Sequence, residues 1–270
     1  MLKSKVAKYL PRRKAGSHKG DYGRVLIIAG SVGMTGAAVL ASRAALRSGA
    51  GLVYLAVPND LVKYVDCLTA EVITIPFSDI KKIKADVIAI GPGLGTSKNC
   101  QKLVASVLRT KVPVVIDADA INIIAKKRKL LAKRKHETII TPHPGEMSRL
   151  VGKDVKYVQQ NRLVVAKKIA NKYNCIVVLK GAGTVVADRY GDVYINNTGN
   201  PGMASAGVGD VLTGMIAGLK AQGQACWGAA VAGVYLHGLA GDLAAKDKGE
   251  YGMIASDLVE KIPYAIQKSR

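Results

Sequence analysis

The stretch that decides the fold class is residues 24–57, RVLIIAGSVGMTGAAVLASRAALRSGAGLVYLAV. Its beginning, Arg24–Ala29, is an apolar run that is typical of a strand buried on both faces. An alanine-rich helical pattern follows over Gly36–Ser48 and ends at Gly49. Leu52–Val57 is apolar again and predicts a second strand. A strand, a helix and a strand in this order predict neighbouring parallel strands in a sheet covered by helices.

The alternation of strands and helices continues to the end of the chain. Further strands are predicted at Val72–Ile75, Val87–Ile90, Val112–Ile116, Thr138–Thr141 and Ile176–Leu179, with a hairpin formed by Val185–Asp188 and Val193–Ile195. Helices are predicted at Lys98–Leu108, Gly145–Leu150, Val158–Tyr173, Asp210–Gln222, Cys226–Asp247 and Ala255–Lys268. This order predicts an α/β fold with a mostly parallel central sheet and helices on both faces. Since no linker or internal repeat interrupts it, we predict one domain over residues 19–270, after a basic N-terminal segment, residues 1–18.

Composition limits the classes of protein that fit the chain. Of its 270 residues, 49% are hydrophobic, which is enough for one large core without disulfides. The four cysteines are scattered and form no C-x-x-C pair, so we expect no disulfide framework, no thiolate metal site and a cytoplasmic location.

The N-terminus has no apolar run of signal-peptide length, although a transit peptide stays open because no acidic residue precedes Asp21. Residues 225–244 are apolar but contain His237 and Asp242, so we expect a buried helix rather than a membrane span.

The net charge is +21, from 40 lysines and arginines against 19 acidic residues. Such a charge can attract acidic small molecules, bind nucleic acid without sequence preference, or only keep the surface solvated. The densest basic run, Lys126–Lys135, is predicted to be an exposed helix end followed by a loop. It lacks the interleaved aromatic residues that bind single strands, and no signature of a specific nucleic-acid-binding fold occurs. We therefore expect no specific nucleic-acid partner.

Residues 200–214, NPGMASAGVGDVLTG, carry the most informative functional pattern. Glycines and small side chains lead into Asp210, and an apolar helical pattern follows. A helix that begins there directs its free N–H groups and its positive dipole end toward an anion. A carboxylate beside a phosphate is repelled unless it has a task, and taking a proton from an attacking hydroxyl is such a task. The alternative is a glycine-rich turn in which Asp210 caps the helix.

Other polar and glycine-rich segments also follow predicted strands, at the edge where open parallel sheets bind ligands. Gly91–Gly95 either brings its backbone close to a substrate or is a plain turn, and it lacks the Gly-Lys-Ser/Thr of a P-loop. Asp117–Asn122 places two carboxylates and an amide at a strand end. Asp117 and Asp119 could hold Mg²⁺ through water or contact ribose hydroxyls, and Asp119 could equally cap a helix.

Two more segments at this edge carry ionisable side chains. Thr141–Met147, TPHPGEM, holds His143 between two prolines, with Glu146 in the first turn of the next helix. A rigid, exposed histidine suits substrate binding or proton transfer, whereas the alternative is a structural turn. Lys180–Thr184, KGAGT, suits a nucleotide phosphate, although a hairpin with a solvated lysine is possible. His237 lies in an apolar helix and is predicted to be a buried structural histidine.

Together these segments resemble the ADP/ATP-dependent NAD(P)H-hydrate dehydratases of the ribokinase-like superfamily. The resemblance runs from about Lys19 to the C-terminus and rests on KGDYGRVLIIAGS, GMTGAAVLASRAALRSGAGLV, GPGLG, VIDADAIN, TPHPGEM, VVLKGAGTVV and NPGMASAGVGDVLTG, in this order. It implies a three-layer α/β/α fold with a mostly parallel central sheet. One departure is Ala206, where the family often has a glycine before Gly207, and the extra methyl group could tighten the anion pocket.

The resemblance implies the repair of damaged nicotinamide cofactors. ADP or ATP would drive the removal of water from the S epimer of hydrated NADH or NADPH, with release of AMP or ADP and phosphate. Hydroxide is a poor leaving group and phosphate a good one, so phosphorylation of the hydroxyl makes the elimination easy. Asp210 would be the catalytic base, and Mg²⁺ would neutralise the nucleotide phosphates.

The same resemblance implies which residues bind each ligand. The nucleotide would contact Lys180, Gly181, Ala182, Gly183, Thr184, Gly207 and Gly209. The hydrated dinucleotide would contact Ala38, Gly93, Asn122, His143 and Asp210. The metal ligands stay open, with Asp119 and Glu146 as candidates.

The resemblance also implies partners, and it leaves alternatives. We expect a functional partnership with a separate NAD(P)H-hydrate epimerase and a homo-oligomer, with a tetramer favoured. One alternative is a kinase of the same superfamily that phosphorylates a vitamin precursor or a sugar, and TPHPGEM beside GVGD argues against it. A further alternative is a nucleic-acid-binding protein that uses the basic surface.

Overall fold

A nine-stranded sheet forms the centre of the computed structural model, which describes residues 6–10 and 12–270. Its strands are β1 (Arg24–Ile28), β2 (Leu52–Val57), β3 (Ile73–Pro76), β4 (Val87–Ile90), β5 (Val114–Ile116), β6 (Thr138–Ile140), β7 (Ile176–Leu179), β8 (Val185–Ala187) and β9 (Val193–Ile195). They lie in the order β3-β2-β1-β4-β5-β6-β7-β8-β9. Strands β1 to β7 pair in parallel, and β8 and β9 continue the sheet as an antiparallel hairpin. The predicted strands are therefore confirmed, with small shifts at their ends.

Helices fill the connections between the strands. The α-helices of the described residues are α1 (Thr35–Arg47), α2 (Val62–Asp66), α3 (Lys98–Leu108), α4 (Ala118–Lys126), α5 (Lys129–Ala132), α6 (Pro144–Val151), α7 (Val155–Gln160), α8 (Arg162–Tyr173), α9 (Val208–Ala221), α10 (Cys226–Gly252) and α11 (Ala255–Ser269). Short 3-10 turns occur at Lys19–Tyr22, Asn59–Leu61, Phe77–Lys82 and Pro201–Met203.

The sheet is buried on both faces, because successive side chains of a strand point to opposite sides. On β1, Leu26 and Ile28 pack in a cluster with residues of α3 to α8. Val25 and Ile27 pack on the other face with residues of α1, α9 and α10. A further cluster lies between α9, α10 and α11. The predicted three-layer α/β/α architecture with a mostly parallel sheet is thus confirmed.

Helices α1 and α9 pack closely because glycines of α9 face alanines of α1. A Cβ atom at Gly214 would lie 2.0 Å from the carbonyl oxygen of Ala41, and one at Gly218 would lie 2.6 Å from that of Ala45. Only glycine fits at such distances. This contact fixes α9, whose first turn carries Asp210, against the helix that follows β1.

Some helix predictions need correction. The helix predicted over Val158–Tyr173 is divided into α7 and α8 at Asn161, whose φ of −124° and ψ of 30° are not helical. The helix predicted to end at Asp247 continues to Gly252 across a kink at Gly249, which has a φ of +72°. Helix α4 was missing from the predicted helices, although a helix capped by Asp119 was one alternative. Its isoleucines are buried in the core cluster beside the sheet.

The basic run Lys126–Lys135 is not exposed throughout, contrary to the prediction. Leu131 and Arg134 within it are buried. The Arg134 guanidinium donates hydrogen bonds to four main-chain carbonyl groups, those of Leu108, Thr110, Val112 and Glu137. A buried guanidinium needs such partners, so this arginine joins the turns that precede β5 and β6.

The predicted N-terminal segment, residues 1–18, lies partly outside the described residues. Within the described part, Val6 and Leu10 are buried in the cluster between α9, α10 and α11. Arg13 Nη2 donates a hydrogen bond to the carbonyl oxygen of Gly49 at 2.9 Å. The described part of the segment therefore packs on the domain, and the boundary at residue 19 stays a prediction.

Helix α10 contains the apolar residues 225–244 almost entirely and is buried along most of them, as predicted. In residues 6–10 and 12–270, no helix combines the length and the apolar character needed to cross a membrane.

Candidate active site

Loops from the carboxyl ends of β1, β4, β5, β6 and β7 meet at one edge of the sheet, as predicted. Main-chain hydrogen bonds join them in pairs. Gly30 N donates to the carbonyl oxygen of Pro92, and Lys180 N donates to that of Pro142, each over 2.9 Å. The candidate site is therefore continuous from the loop after β1 to the loop after β7.

Lys180 is the central cation of this site. Its side chain is only 17% exposed, and Nζ lies 2.6 Å from Asp117 Oδ1 and 3.9 Å from Glu146 Oε2. Burial alone would lower the pKa of Lys180, but the charges of Asp117 and Glu146 outweigh it and raise the pKa. The ammonium group therefore stays charged inside the protein. The alternative of a solvated lysine is therefore wrong, although β7 and β8 do form the hairpin that it included.

Asp210 is the third residue of α9 and follows the N-cap residue Gly207 by three positions. Burial raises the pKa of Asp210 to about 7, the negative charge of Asp117 adds to the rise, and Lys180 opposes it. A carboxyl group that titrates near neutrality is suited to take a proton from a hydroxyl. Because Gly207 occupies the capping position, the alternative role of Asp210 as a helix cap is wrong.

Glycines shape the first turn of α9 for close approach. Gly207 has a φ of +87°, and a Cβ atom there would lie 2.5 Å from Leu40 Cδ1. A Cβ atom at Gly209 would lie 3.3 Å from Lys180 Nζ, so the ammonium group sits against this turn. The N–H groups of a first helical turn have no partner within the helix. These donors and the ammonium group form a site for an anion such as a phosphate.

His237 stabilises the first turn of α9 by a hydrogen bond to its main chain. It is 8% exposed, and its Nε2 lies 2.9 Å from the carbonyl oxygen of Val208, the first residue of α9. Burial lowers the pKa of His237 to about 4, so the ring is neutral and donates this hydrogen bond from Nε2. The predicted structural role of His237 is confirmed.

The loop Lys180–Thr184 is held by Arg162, a residue that the sequence did not single out. Arg162 Nη2 donates to the carbonyl oxygen of Leu179 at 2.9 Å and, more weakly, to that of Gly183 at 3.4 Å. Nη1 donates to the carbonyl oxygen of Lys180 at 3.3 Å. Gly181 and Gly183 have φ values of +132° and +63°, so the loop between these bonds uses conformations that favour glycine.

The sequence predicts that this loop binds a nucleotide phosphate, and Arg162→Lys is then expected to weaken ADP binding about tenfold, the effect of losing one or two hydrogen bonds to the loop. A lysine lacks the planar fork that reaches neighbouring carbonyl groups together. Isothermal titration calorimetry measures the affinity, and Lys167→Met, on the exposed face of the same helix, is the control. An unchanged affinity in Arg162→Lys would contradict the role of this arginine in shaping the loop.

His143 and Glu146 form a compact pair at the start of α6. Glu146 is buried, its Oε2 accepts a hydrogen bond from His143 N at 2.8 Å, and its Oε1 lies 3.2 Å from His143 Nε2. His143 Nδ1 accepts a hydrogen bond from Gly145 N at 3.0 Å, which places the ring proton on Nε2. Both ring nitrogens thus have partners within the protein, and the ring is half exposed; substrate binding and proton transfer by His143 both stay predictions.

Asp119 and Asn122, both on α4, connect the loop after β4 to helix α6. Asp119 Oδ2 accepts a hydrogen bond from Gly95 N at 2.8 Å, and its Oδ1 accepts one from Asn122 Nδ2 at 3.3 Å. Asn122 Oδ1 in turn accepts from Arg149 Nη1 at 2.9 Å. The N-cap residue of α4 is Asp117, so the alternative of Asp119 as the cap is wrong.

The remaining predicted substrate contacts, Ala38 and Gly93, lie near the loop after β1. Gly93 has a φ of +57° and packs against the carbonyl oxygen of Met34. Ala38 is fully buried, and its methyl group lies beneath Gly30. Direct contact of either residue with a substrate stays a prediction.

The charges around Asp210 fit a nucleotide bound with a divalent cation. Asp117, Asp119 and Glu146 all act on Asp210, against the single ammonium group of Lys180. Carboxylate oxygens are suitable partners for Mg²⁺, which keeps several of its waters. Within residues 6–10 and 12–270, no group of three or more histidine, cysteine or acidic side chains is arranged to hold a metal by itself. Asp119 and Glu146 stay the predicted partners of a magnesium ion at this site.

Comparison with known proteins agrees with this arrangement. A model of the family described as NAD(P)H-hydrate dehydratase matches residues 25–264. The chain is 46% identical, over 96% of its length, to 52% of a bifunctional NAD(P)H-hydrate repair enzyme from Moorella thermoacetica, so it spans about half the length of that relative. It is 37% identical, over 94% of its length, to 92% of an ADP-dependent (S)-NAD(P)H-hydrate dehydratase from Bacillus subtilis.

A solved structure gives the same result for the fold. The crystal structure of the Bacillus subtilis ADP/ATP-dependent NAD(P)H-hydrate dehydratase, co-crystallised with ATP and Mg²⁺, superposes with a TM-score of 0.89 at 34% identity. The match covers 99% of this chain and 97% of that one. From the family model, the relatives and this structure together, the chain belongs to the NAD(P)H-hydrate dehydratase family.

Proposed function

We propose that this protein dehydrates the S epimer of hydrated NADH or NADPH at the expense of ADP or ATP. The observation that carries the proposal is Asp210, a carboxyl group with a pKa of about 7 in the first turn of a helix that also faces Lys180. Family membership supports the choice of substrate over the vitamin precursors or sugars of related kinases. The ADP-dependent relative supports ADP as a phosphoryl donor.

In the first step, Asp210 takes the proton of the ring hydroxyl while the hydroxyl oxygen attacks the terminal phosphorus of the nucleotide. The bond between that phosphorus and the bridging oxygen breaks, and AMP or ADP leaves. The N–H groups of Val208 and Gly209, together with the ammonium group of Lys180, stabilise the charge on the transferring phosphoryl group. Mg²⁺, when bound with the nucleotide, neutralises the phosphate oxygens.

In the second step, the carbon–oxygen bond to the new phosphate group breaks, and the neighbouring ring carbon releases its proton to water while the electron pair of that carbon–hydrogen bond forms the new double bond. Phosphate departs and the double bond of the dihydronicotinamide ring is restored. Phosphate leaves far more readily than hydroxide, which is why the nucleotide is consumed. His143, Asn122, Gly93 and Ala38 are proposed to orient the hydrated ring and its dinucleotide.

The pH dependence of kcat/KM is expected to follow the ionisation of Asp210 in the free enzyme. A base acts only when ionised, and the raised pKa of about 7 means that ionisation is lost as the pH falls through neutrality. The rate is therefore expected to fall about tenfold per pH unit below about pH 7. Release of AMP measures it without interference from the acid lability of NADH. If kcat/KM instead fell with a midpoint near pH 4, the result would contradict a base whose pKa is raised by burial.

The activity itself is tested by incubating the protein with hydrated NADH, Mg²⁺ and ADP. Recovery of NADH absorbance, matched mole for mole by AMP and phosphate, is the expected result. A stable phosphorylated product without NADH would instead identify a kinase. If neither ADP, with release of AMP, nor ATP, with release of ADP, restored the NADH absorbance, the result would contradict the proposal.

We further propose that a separate epimerase supplies the S epimer, that the protein works in the cytoplasm, and that it forms a homo-oligomer, with a tetramer favoured. The bifunctional relative is about twice the length that this chain matches, which leaves room in that protein for a second activity. Size-exclusion chromatography with light scattering tests the oligomeric state.

A further inference from the structure

We propose that Thr213 is a positioning residue for nucleotide binding, because it holds Asp117 and thereby the Lys180 ammonium group. The inference rests on the proposed nucleotide site. Thr213 is fully buried, and its Oγ1 donates a hydrogen bond to Asp117 Oδ2 at 2.7 Å. The other carboxylate oxygen, Asp117 Oδ1, accepts from Lys180 Nζ at 2.6 Å. One carboxylate that is 1% exposed is thus shared between a hydroxyl and an ammonium group.

The hydrogen bond of Thr213 is a specific tertiary contact. A threonine within a helix usually directs its hydroxyl to a carbonyl oxygen of its own preceding turn. Thr213 instead reaches a side chain that is 96 positions away in the chain. Its neighbours on α9 include buried apolar residues, Val211, Leu212, Met215 and Ile216. A hydroxyl in such surroundings needs a partner, and Asp117 provides it.

The position of Thr213 links the two parts of the anion site. It lies one helical turn after Asp210, on the same helix whose first turn faces the phosphate site. Through Asp117 it connects this helix to Lys180, which comes from the loop after β7. The helix N–H groups and the ammonium group therefore keep a fixed distance from each other. Such preorganised donors bind a phosphate without a cost of rearrangement.

Loss of the hydroxyl would release Lys180 from this position. Asp117 Oδ2 would become a buried acceptor without its partner, and the carboxylate could turn toward other donors. Glu146 Oε2, already 3.9 Å from Lys180 Nζ, is a competing acceptor for the ammonium group. We expect Lys180 to shift from the first turn of α9 toward Glu146, away from the nucleotide.

The test compares Thr213→Val, which keeps the shape of the side chain, with Thr213→Ser, which keeps the hydroxyl. Calorimetric titration with ADP and Mg²⁺ is expected to show binding about tenfold weaker in Thr213→Val and within twofold of the wild type in Thr213→Ser. In turnover assays, the KM for ADP should rise similarly, while the KM for hydrated NADH stays within twofold. The matched control is Thr69→Val, a buried threonine whose hydroxyl has no hydrogen-bond partner in the described residues.

If Thr213 had only a structural role, Thr213→Val would lower the melting temperature without raising the KM for ADP above that expected from the KM for hydrated NADH. Wild-type ADP affinity in Thr213→Val, or equal weakening in Thr213→Ser, would overturn the inference. If Thr213→Val does not fold, Thr213→Cys carries only a weak donor and should bind ADP at least about fivefold more weakly than Thr213→Ser. ADP binding needs no hydrated cofactor, so wild-type protein that binds ADP without turning over hydrated NADH would contradict only the proposed reaction.

Discussion

Asp210→Asn is expected to lower kcat by about 10³-fold, the contribution of a positioned general base. Asparagine has the same shape but cannot take a proton, so the hydroxyl would have to attack phosphorus without activation. Turnover measured as AMP release tests this. The exposed Asp192→Asn, in the turn between β8 and β9, serves as the control and should retain full activity.

The same variant should fold and bind ADP at least as well as the wild type. Asp210 lies among three other carboxylates, and burial with their charges disfavours its ionised form. A neutral amide removes part of this repulsion, so neither the melting temperature near pH 8 nor the ADP affinity is expected to fall. A kcat close to that of the wild type would contradict the role of Asp210 as the catalytic base. A strongly lowered melting temperature would show that the loss of activity comes from unfolding.

Gly214→Ala is expected to lower the free energy of unfolding by about 3 kcal/mol, at the upper end of the usual cost of overpacking. The new Cβ atom would lie 2.0 Å from the carbonyl oxygen of Ala41, and a main-chain atom cannot move aside as a side chain does. Helices α1 and α9 would have to separate, and the turn that carries Asp210 would move with α9. Urea denaturation measures the change.

The matched control for Gly214→Ala is Gly36→Ala, on the partner helix of the same pair. A Cβ atom at Gly36 would have no neighbour within 4 Å. Alanine in place of an exposed helical glycine is expected to stabilise the protein by up to about 1 kcal/mol. The two alanine substitutions should thus change stability in opposite directions. Equal effects would contradict the close contact between α1 and α9.

Much of the fold could be predicted because the strands are short apolar runs that end in glycine, proline or polar residues. Val87–Ile90, followed by Gly91, is such a case, and so is Ile176–Leu179, followed by Lys180. Parallel strands place their carboxyl ends together, so the convergence of the loops also followed from the sequence. The division of α7 from α8 did not, because Asn161 carries no proline or glycine signal and its backbone conformation depends on packing.

The candidate site was only partly predictable, because some of its contacts depend on packing that the sequence does not reveal. Asp210, His143 and Lys180 lie in conspicuous glycine- or proline-rich segments. Arg162 lies inside an ordinary helical pattern, and Thr213 lies in the segment 200–214 without any signal of its own. Their hydrogen bonds reach residues 17 and 96 positions away. No spacing rule connects such pairs in a single sequence. Their roles became visible only when the fold brought the partners together.

The ring hydroxyl is proposed to be phosphorylated before it leaves, and an isotope experiment tests this order of steps most directly. Hydrated NADH labelled with ¹⁸O in its ring hydroxyl is converted with Mg²⁺ and ADP, and the released phosphate is analysed by mass spectrometry. Attack of the hydroxyl on phosphorus, followed by cleavage of the carbon–oxygen bond, must place one ¹⁸O atom in each phosphate. Unlabelled phosphate formed alongside NADH, with the label in water, would contradict the role assigned to Asp210.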